Sequence, residues 1–258
     1  MLFNRNRSAV AQLQRLTIAA SQHNDSTVTL TSEQQHYLTR VLRLKSGDRF
    51  IAIQEQGQWR IAQLQNPPQT AQLLDPIAIQ TELEQPLTLL AALIKGQGFD
   101  DVVRAATELG VSTIVPLLTE RTVVNPGSSK LERWRRIAAE AAEQSCRQLV
   151  PDILDPLPFS SALSLVQTER FKAQRRFISA TAPNCMNLCL ALEKPSNLGI
   201  LMMVGPEGGW TTDEQSAAIA QGFMPVSLGR RVLKAVTASI AAIAILSAHI
   251  DAIHPQQP

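Results

Sequence analysis

The feature that most restricts the fold of this chain is a rhythm that begins near residue 85. Five apolar runs of strand length, LTLLAALI (87–94), TIVPLL (113–118), RRFISAT (175–181), GILMMVG (199–205) and MPVSLG (224–229), alternate with segments of helical periodicity. Continuous apolarity belongs to strands buried on both faces, and strand–helix alternation builds a parallel sheet covered on either side. In FDDVVRAATELG, Phe99, Val102, Val103, Ala106 and Leu109 line one helical face, and Gly110 is placed to end the helix. A longer helix is expected over 130–149, with Leu131, Trp134, Ala138, Ala141 and Ser145 turned inward. The stretch AVTASIAAIAILSAHI (235–250) is too short and too rich in Ala and Ser for a membrane span. It is expected to be a helix buried on nearly every face, in a core or an oligomer interface.

The first eighty or so residues read differently. STVTLT (26–31), DRFIAIQ (48–54), QWRIAQLQ (58–65) and a piece near 73–80 are β-prone, with turns expected at Ser46-Gly47-Asp48 and Gln56-Gly57-Gln58 and a break at Asn66-Pro67-Pro68. SEQQHYLTRVLRL (32–44) reads as a short helix with Tyr37, Val41 and Leu44 on one face and Leu38 and Leu42 beside it. Short strands with one helix suggest a small β-barrel domain over 1–84, followed by an α/β domain over 85–258.

Composition excludes several classes. A net charge of +2 means that any affinity for nucleic acid must come from local patches. Cys146, Cys185 and Cys189 have no paired spacing and the four histidines lie far apart, so neither a disulfide framework nor a metal site is expected. The start, MLFNRNRSAVAQLQRL, develops no apolar core for a signal peptide, and a soluble, cytoplasmic protein is expected.

The loop GPEGGW (205–210) follows the run GILMMV, at the carboxyl end of a strand where ligands gather in such folds. Thr211 and Glu214 form a capping box, so a helix starts there. The glycines could serve only to turn the chain. They could equally leave bare backbone facing a ligand, and Glu207 with no following Gly-Lys-Ser or Gly-Lys-Thr disfavours a phosphate. A second loop, LGRRVLKAVTA (228–238), gathers Arg230, Arg231 and Lys234 before the apolar helix, where cations oppose the helix dipole and need solvent or an anion.

These two loops, together with ATELGV (106–111), ERTVV (120–124), EQSCR (143–147) and HYLTRVLRLKSGD (36–48), resemble the SPOUT-superfamily 16S rRNA (uracil-N3)-methyltransferases over nearly the whole chain. The resemblance implies an N-terminal PUA-like RNA-binding barrel and a C-terminal domain with a deep trefoil knot over about 199–246. It implies S-adenosyl-L-methionine as cofactor, 16S rRNA within the small ribosomal subunit as substrate, a homodimer through helices that include the C-terminal one, and no metal. Carried over residue by residue, Val204, Gly205, Glu207, Gly208, Gly209, Leu228, Gly229, Val232 and Leu233 would hold the cofactor. Arg40, Arg43, Lys45, Arg49, Arg121 and Arg147 would face RNA, and Lys234 and Arg231 are the catalytic candidates, as cations beside a uracil oxygen. Neither loop holds a histidine, so no general base is nominated.

The chain departs from the family pattern in places. Lys234 and Val236 stand where the family has arginine and glutamate, and Gly98 and Ala105 where lysines are common. Lysine keeps the charge but loses the planar fork. Besides an active methyltransferase, two readings stay open: a catalytically weakened RNA-binding or ribosome-assembly protein, and a nucleotide-binding enzyme that uses GPEGG as a phosphate loop. Binding of S-adenosylmethionine without binding of ATP separates the last from the others.

Overall fold

Strands such as RFIAIQ are apolar on both faces, and the N-terminal unit uses both. The computed structural model describes residues 13–54, 58–77, 81–122, 127–182, 185–194 and 196–254. The first of its two units comprises Met1–Thr81 with Cys146–Leu149. Its strands are β1 (Arg15–Ile18), β2 (His23–Asn24), β3 (Thr27–Thr29), β4 (Arg49–Gln54), β5 (Trp59–Leu64) and β6 (Thr70–Ile77), in the order β1-β4-β5-β6-β3-β2. Apart from the parallel β1–β4 pair the neighbours are antiparallel. Phe50, Ala52, Ala62, Leu64 and Ala71 bury one face of this curled sheet with Leu38, while Ile51, Ile53 and Trp59 bury the other. Asn66-Pro67-Pro68 separates β5 from β6, as expected; the Gln56-Gly57 turn lies outside the described residues.

Helix α1 (Ser32–His36) starts at Thr31, whose Oγ1 accepts from Gln34 N (3.2 Å) while Gln34 Oε1 accepts from Thr31 N (2.9 Å). It runs on as a π-turn over Tyr37–Val41, closed by Leu42 N donating to Tyr37 O. The extra residue in that turn rotates the face expected from a regular helix. Leu38 is buried with Leu42 and Leu44 packed beside it, whereas Tyr37 and Val41 are exposed.

The second unit, Glu82–Ser145 with Val150–Pro258, carries the strand–helix rhythm. Its elements are β7 (Leu87–Ala92), α2 (Gly98–Glu108), β8 (Thr113–Leu118), α3 (Ser128–Gln144), β9 (Asp152–Ile153), β10 (Leu157–Pro158), α4 (Phe159–Leu165), β11 (Gln174–Ser179), β12 (Met186–Asn187), α5 (Leu188–Ala191), β13 (Gly199–Val204), α6 (Thr212–Ala220), β14 (Met224–Ser227) and α7 (Ala235–Ile253). The strands form one parallel sheet of order β10-β8-β7-β13-β11-β14-β12, with β9 beside β8. Every residue of β13 is buried. Ile200, Met202 and Val204 face α2, α3 and α7, while Leu201 and Met203 face Phe171, Phe223 and α4. Two covered faces are why the run is apolar throughout.

Gly110 adopts φ +88° and ends α2, as its position in the sequence predicts. Helix α3 stops at Gln144 instead of continuing to 149, because Cys146 takes φ +65° and the chain turns into the first unit. Asp100, only 8% exposed, joins α2 to α3 by accepting from Arg133 Nε (2.8 Å) and Trp134 Nε1 (3.0 Å). At the amino edge of the sheet Arg176 donates to Gln221 O and Val166 O, and burial lowers the pKa of its guanidinium.

The expectation for 235–250 needs correction within the single chain. Helix α7 buries one stripe, Ala235, Ser239, Ala242, Ile243, Leu246, Ser247 and Ile250, against its own unit. Ile240, Ala241 and Ala244 are half-buried, and Thr237 and Ala248 are exposed. By length and composition α7 could cross a membrane, and 33% of that stretch is buried in the chain.

Candidate functional site

Strand order decides which loops meet. β13 and β14 are the two neighbours of β11, so the loops leaving their carboxyl ends stand on either side of Ser179. Two strand spacings separate them, roughly 10 Å.

The first loop, 205–211, is braced from outside itself. Trp210 Nε1 donates to Ser179 O (2.9 Å), and its ring lies 5.6 Å from that of Phe159. Gly205 sits against this indole so closely that a Cβ would lie 3.0 Å from Trp210 Cε2. Gly209, at φ +70°, donates to Pro206 O (2.9 Å) and closes the turn. Arg121 Nη1 donates to Gly208 O (2.6 Å). Thr211 caps α6 as expected, and Glu214 is buried, with Oε2 accepting from Thr211 N (3.0 Å) and Oε1 from Glu120 N (2.8 Å). Glu207 is exposed at the tip of the loop and Val204 is buried beneath it.

The second loop, 228–234, begins with Ser227 Oγ donating to Gly229 O (3.0 Å) and accepting from Gly229 N (3.1 Å). Gly229 has φ +125°, a conformation open in practice only to glycine, and nothing but Arg231 Nη2 comes within 4.0 Å of where its Cβ would be. Leu228 and Leu233 are half-buried, Val232 is 84% exposed, and Arg230, Arg231 and Lys234 are exposed. Lys234 is the N-cap residue of α7, with no side-chain cap bond. Just beyond it, Val236 packs on the start of α2: a Cβ at Gly98 would lie 2.9 Å from Val236 Cγ2 and 2.8 Å from Ile94 Cδ1.

The residues assigned to RNA divide three ways. Arg40, Arg43, Lys45 and Arg49 are all exposed on the connection from the π-turn to β4 in the first unit, with Arg43 at φ +58°. Arg121 is exposed but braces the glycine loop. Arg147 is only 4% exposed in this chain, unlike the other five. Among the described residues no group of His, Cys, Asp or Glu is placed to hold a metal ion. Sequence reasoning missed the bracing by Trp210 and Ser227 and the bond that Glu214 accepts from Glu120 N, while the cap between Glu214 and Thr211 was legible. For the missed contacts the sequence signal was position beside the two loops.

Comparison with known proteins matches both units. A model described as RNA methyltransferase domain covers residues 81–247, and one described as RNA methyltransferase PUA domain covers 30–73. The ribosomal RNA small subunit methyltransferase E of Synechocystis sp. is 47% identical over 248 residues, spanning 95% of this chain and 80% of that protein. The protein of the same name from Bacillus subtilis is 27% identical over 90% of this chain and 93% of its own length. A crystal structure of the Neisseria gonorrhoeae ribosomal RNA small subunit methyltransferase E bound to S-adenosyl methionine superimposes with a TM-score of 0.78. It is 29% identical, over 92% of this chain and 98% of that one. The two glycine loops, the parallel sheet that brings them together and the matched RNA methyltransferase and PUA domains agree, and the chain belongs to the ribosomal RNA small subunit methyltransferase E family.

Proposed function

We propose that the chain transfers the methyl group of S-adenosyl-L-methionine to N3 of a uridine in the 16S rRNA of the small ribosomal subunit, acting as a cytoplasmic homodimer. The observation that carries this reading is the pair of glycine loops flanking Ser179 in a chain so similar to a protein named as a ribosomal RNA small subunit methyltransferase.

The loops suit such a cofactor. At Gly209 a Cβ would meet nothing within 4 Å, and at Gly229 only Arg231 Nη2 lies at 4.0 Å, so a ligand could approach the backbone closely at both turns. Gly209 N, Gly229 N and Gly229 O are held by partners within the chain. Val204, Gly205, Gly208, Leu228, Val232 and Leu233 would complete a slot for the adenosine. Glu207 favours a cation over a phosphate at this edge. When bound, the cofactor supplies a sulfonium-activated methyl group. The protein's own part is to hold the uracil in line, which contributes much of the rate. It must also stabilise the negative charge that develops on the base as the imide proton leaves. Lys234 or Arg231 beside O2 or O4 would do this and depress the N3 pKa. On this reading the chain between about 199 and 246 forms the trefoil knot, and Arg40, Arg43, Lys45 and Arg49 supply phosphate contacts from the PUA domain.

The open face of α7 supports the dimer. Ile240→Glu places a charge on that face and is expected to turn a dimer into a folded monomer in sedimentation, with unchanged helical content. Wild-type protein that sediments as a monomer at micromolar concentration would remove the dimer from the proposal.

A weakened RNA-binding or assembly protein is the second reading, favoured by Lys234 and by the apolar contact that Val236 makes where the family carries a carboxylate. Both are tested by methyl transfer from labelled S-adenosylmethionine to small subunits that lack the modification, beside an active family member. Label recovered as N3-methyluridine supports the first reading. Cofactor binding without label supports the second.

A further inference from the structure

The carboxyl edge of the sheet continues past the two glycine loops into a second feature. A cleft of about 690 Å³ lies between the β7–α2 loop and the first turns of α3. β7 is the neighbour of β13, with Ala91 opposite Val204, so the β7–α2 loop that lines the cleft and the GPEGG loop leave the sheet from adjacent strands. The contact of Val236 with Gly98 ties its rim to the chain just after Lys234.

The lining is cationic. Lys130, Arg133 and Arg136 project from one side of α3, and exposed Lys95 lies on the rim between the lining residues Ile94 and Gly96. Two acids also line it. Asp100 is engaged by Arg133, with Nη2 at 2.7 Å, and by Trp134; Glu132 is exposed. Arg136 is only loosely held, 3.9 Å from Glu140 in an exposed pair of little strength. Among the described residues no ion pair holds Lys95 or Lys130. The buried carboxylate of Asp100 uses two of Arg133's five donors and fixes the plane of the rest, which reduces the entropy lost when an oxyanion binds. Phe99 and Trp134 are 2% and 3% exposed, so they offer no face on which a base could stack.

We propose that this cleft holds the phosphodiester backbone of a single-stranded RNA segment next to the nucleotide presented to the glycine loops. The inference rests on the RNA methyltransferase reading above. The volume suits about one nucleotide and no duplex, and cations without an open aromatic face grip phosphate without reading sequence.

The test is the double variant Lys130→Glu/Arg136→Glu against a charge-matched control, Lys172→Glu/Lys194→Glu. Both control residues are exposed and precede β11 and β13 at the opposite edge of the sheet. Binding to unmodified small subunits is measured across a salt series, with calorimetric titration of S-adenosylmethionine beside it. The cleft variant is expected to bind subunits at least tenfold more weakly, with a salt slope shallower by about one, and to keep its cofactor affinity; the control stays close to wild type. Equal losses in the two variants, or no loss in the cleft variant, overturn the proposal. Wild-type protein that binds subunits through the cleft yet transfers no methyl group would instead overturn the methyltransferase reading and leave the cleft standing.

Discussion

Gly205→Val is expected to weaken S-adenosylmethionine binding at least a hundredfold, about 2.7 kcal/mol, in a chain that still folds. At this position even one added carbon would lie 3.0 Å from Trp210 Cε2 and 3.2 Å from Cδ2. The indole has nowhere to go, since Ser179 O holds its N–H and Phe159 packs on its ring. The backbone must therefore move, and with it the loop proposed to hold the cofactor. Gly222→Ala is the control, because Gly222 has φ +81° with open space around it after α6, away from both loops. It is expected to cost about 1–3 kcal/mol of stability through backbone strain and to leave cofactor affinity alone. Calorimetric titration of both variants decides the matter. Unchanged affinity in Gly205→Val would remove the first loop from the cofactor site.

The second large effect is expected on catalysis. Lys234→Met should reduce kcat for methyl transfer by 10²–10³, the range found when one donor to a developing anion is removed, with cofactor affinity within twofold of wild type. Stability separates this from misfolding. Lys234 is exposed at the N-cap of α7 and donates no cap bond, and a cation there opposes the helix dipole. Its loss should therefore leave Tm unchanged or slightly raised, while Lys234→Arg restores turnover. A kcat equal to wild type in Lys234→Met would assign the role to Arg231 or to neither residue.

Much of the fold was legible because continuous apolar runs and capped helices are local signals. The parallel sheet follows from runs such as GILMMV, the end of α2 from Gly110, and the start of α6 from Thr211 and Glu214. What escaped depends on contacts distant in sequence. Strand β1 is only four residues, RLTI, and exists because β4 offers it an edge. The π-turn after α1 moves Leu38 inward and Tyr37 outward, and helical periodicity does not announce an extra residue. Among the arginines, Arg121 and Arg147 read like Arg40 and Arg49 in sequence. The first braces a loop 87 residues away and the second is buried. A cation's pattern in the sequence tells nothing of whether its charge is already engaged.

The contact of Gly98 with Val236 bears on which substitutions this chain tolerates. The two sites are more than a hundred residues apart, and both carry uncharged residues. Here they touch, with a Cβ at Gly98 only 2.9 Å from Val236 Cγ2. A glutamate at 236 alone would press a carboxylate onto Ile94 and the start of α2, and a lysine at 98 alone would drive its Cβ into Val236. Neighbours of this kind are not additive. The two positions are coupled, and a substitution made at one is felt at the other.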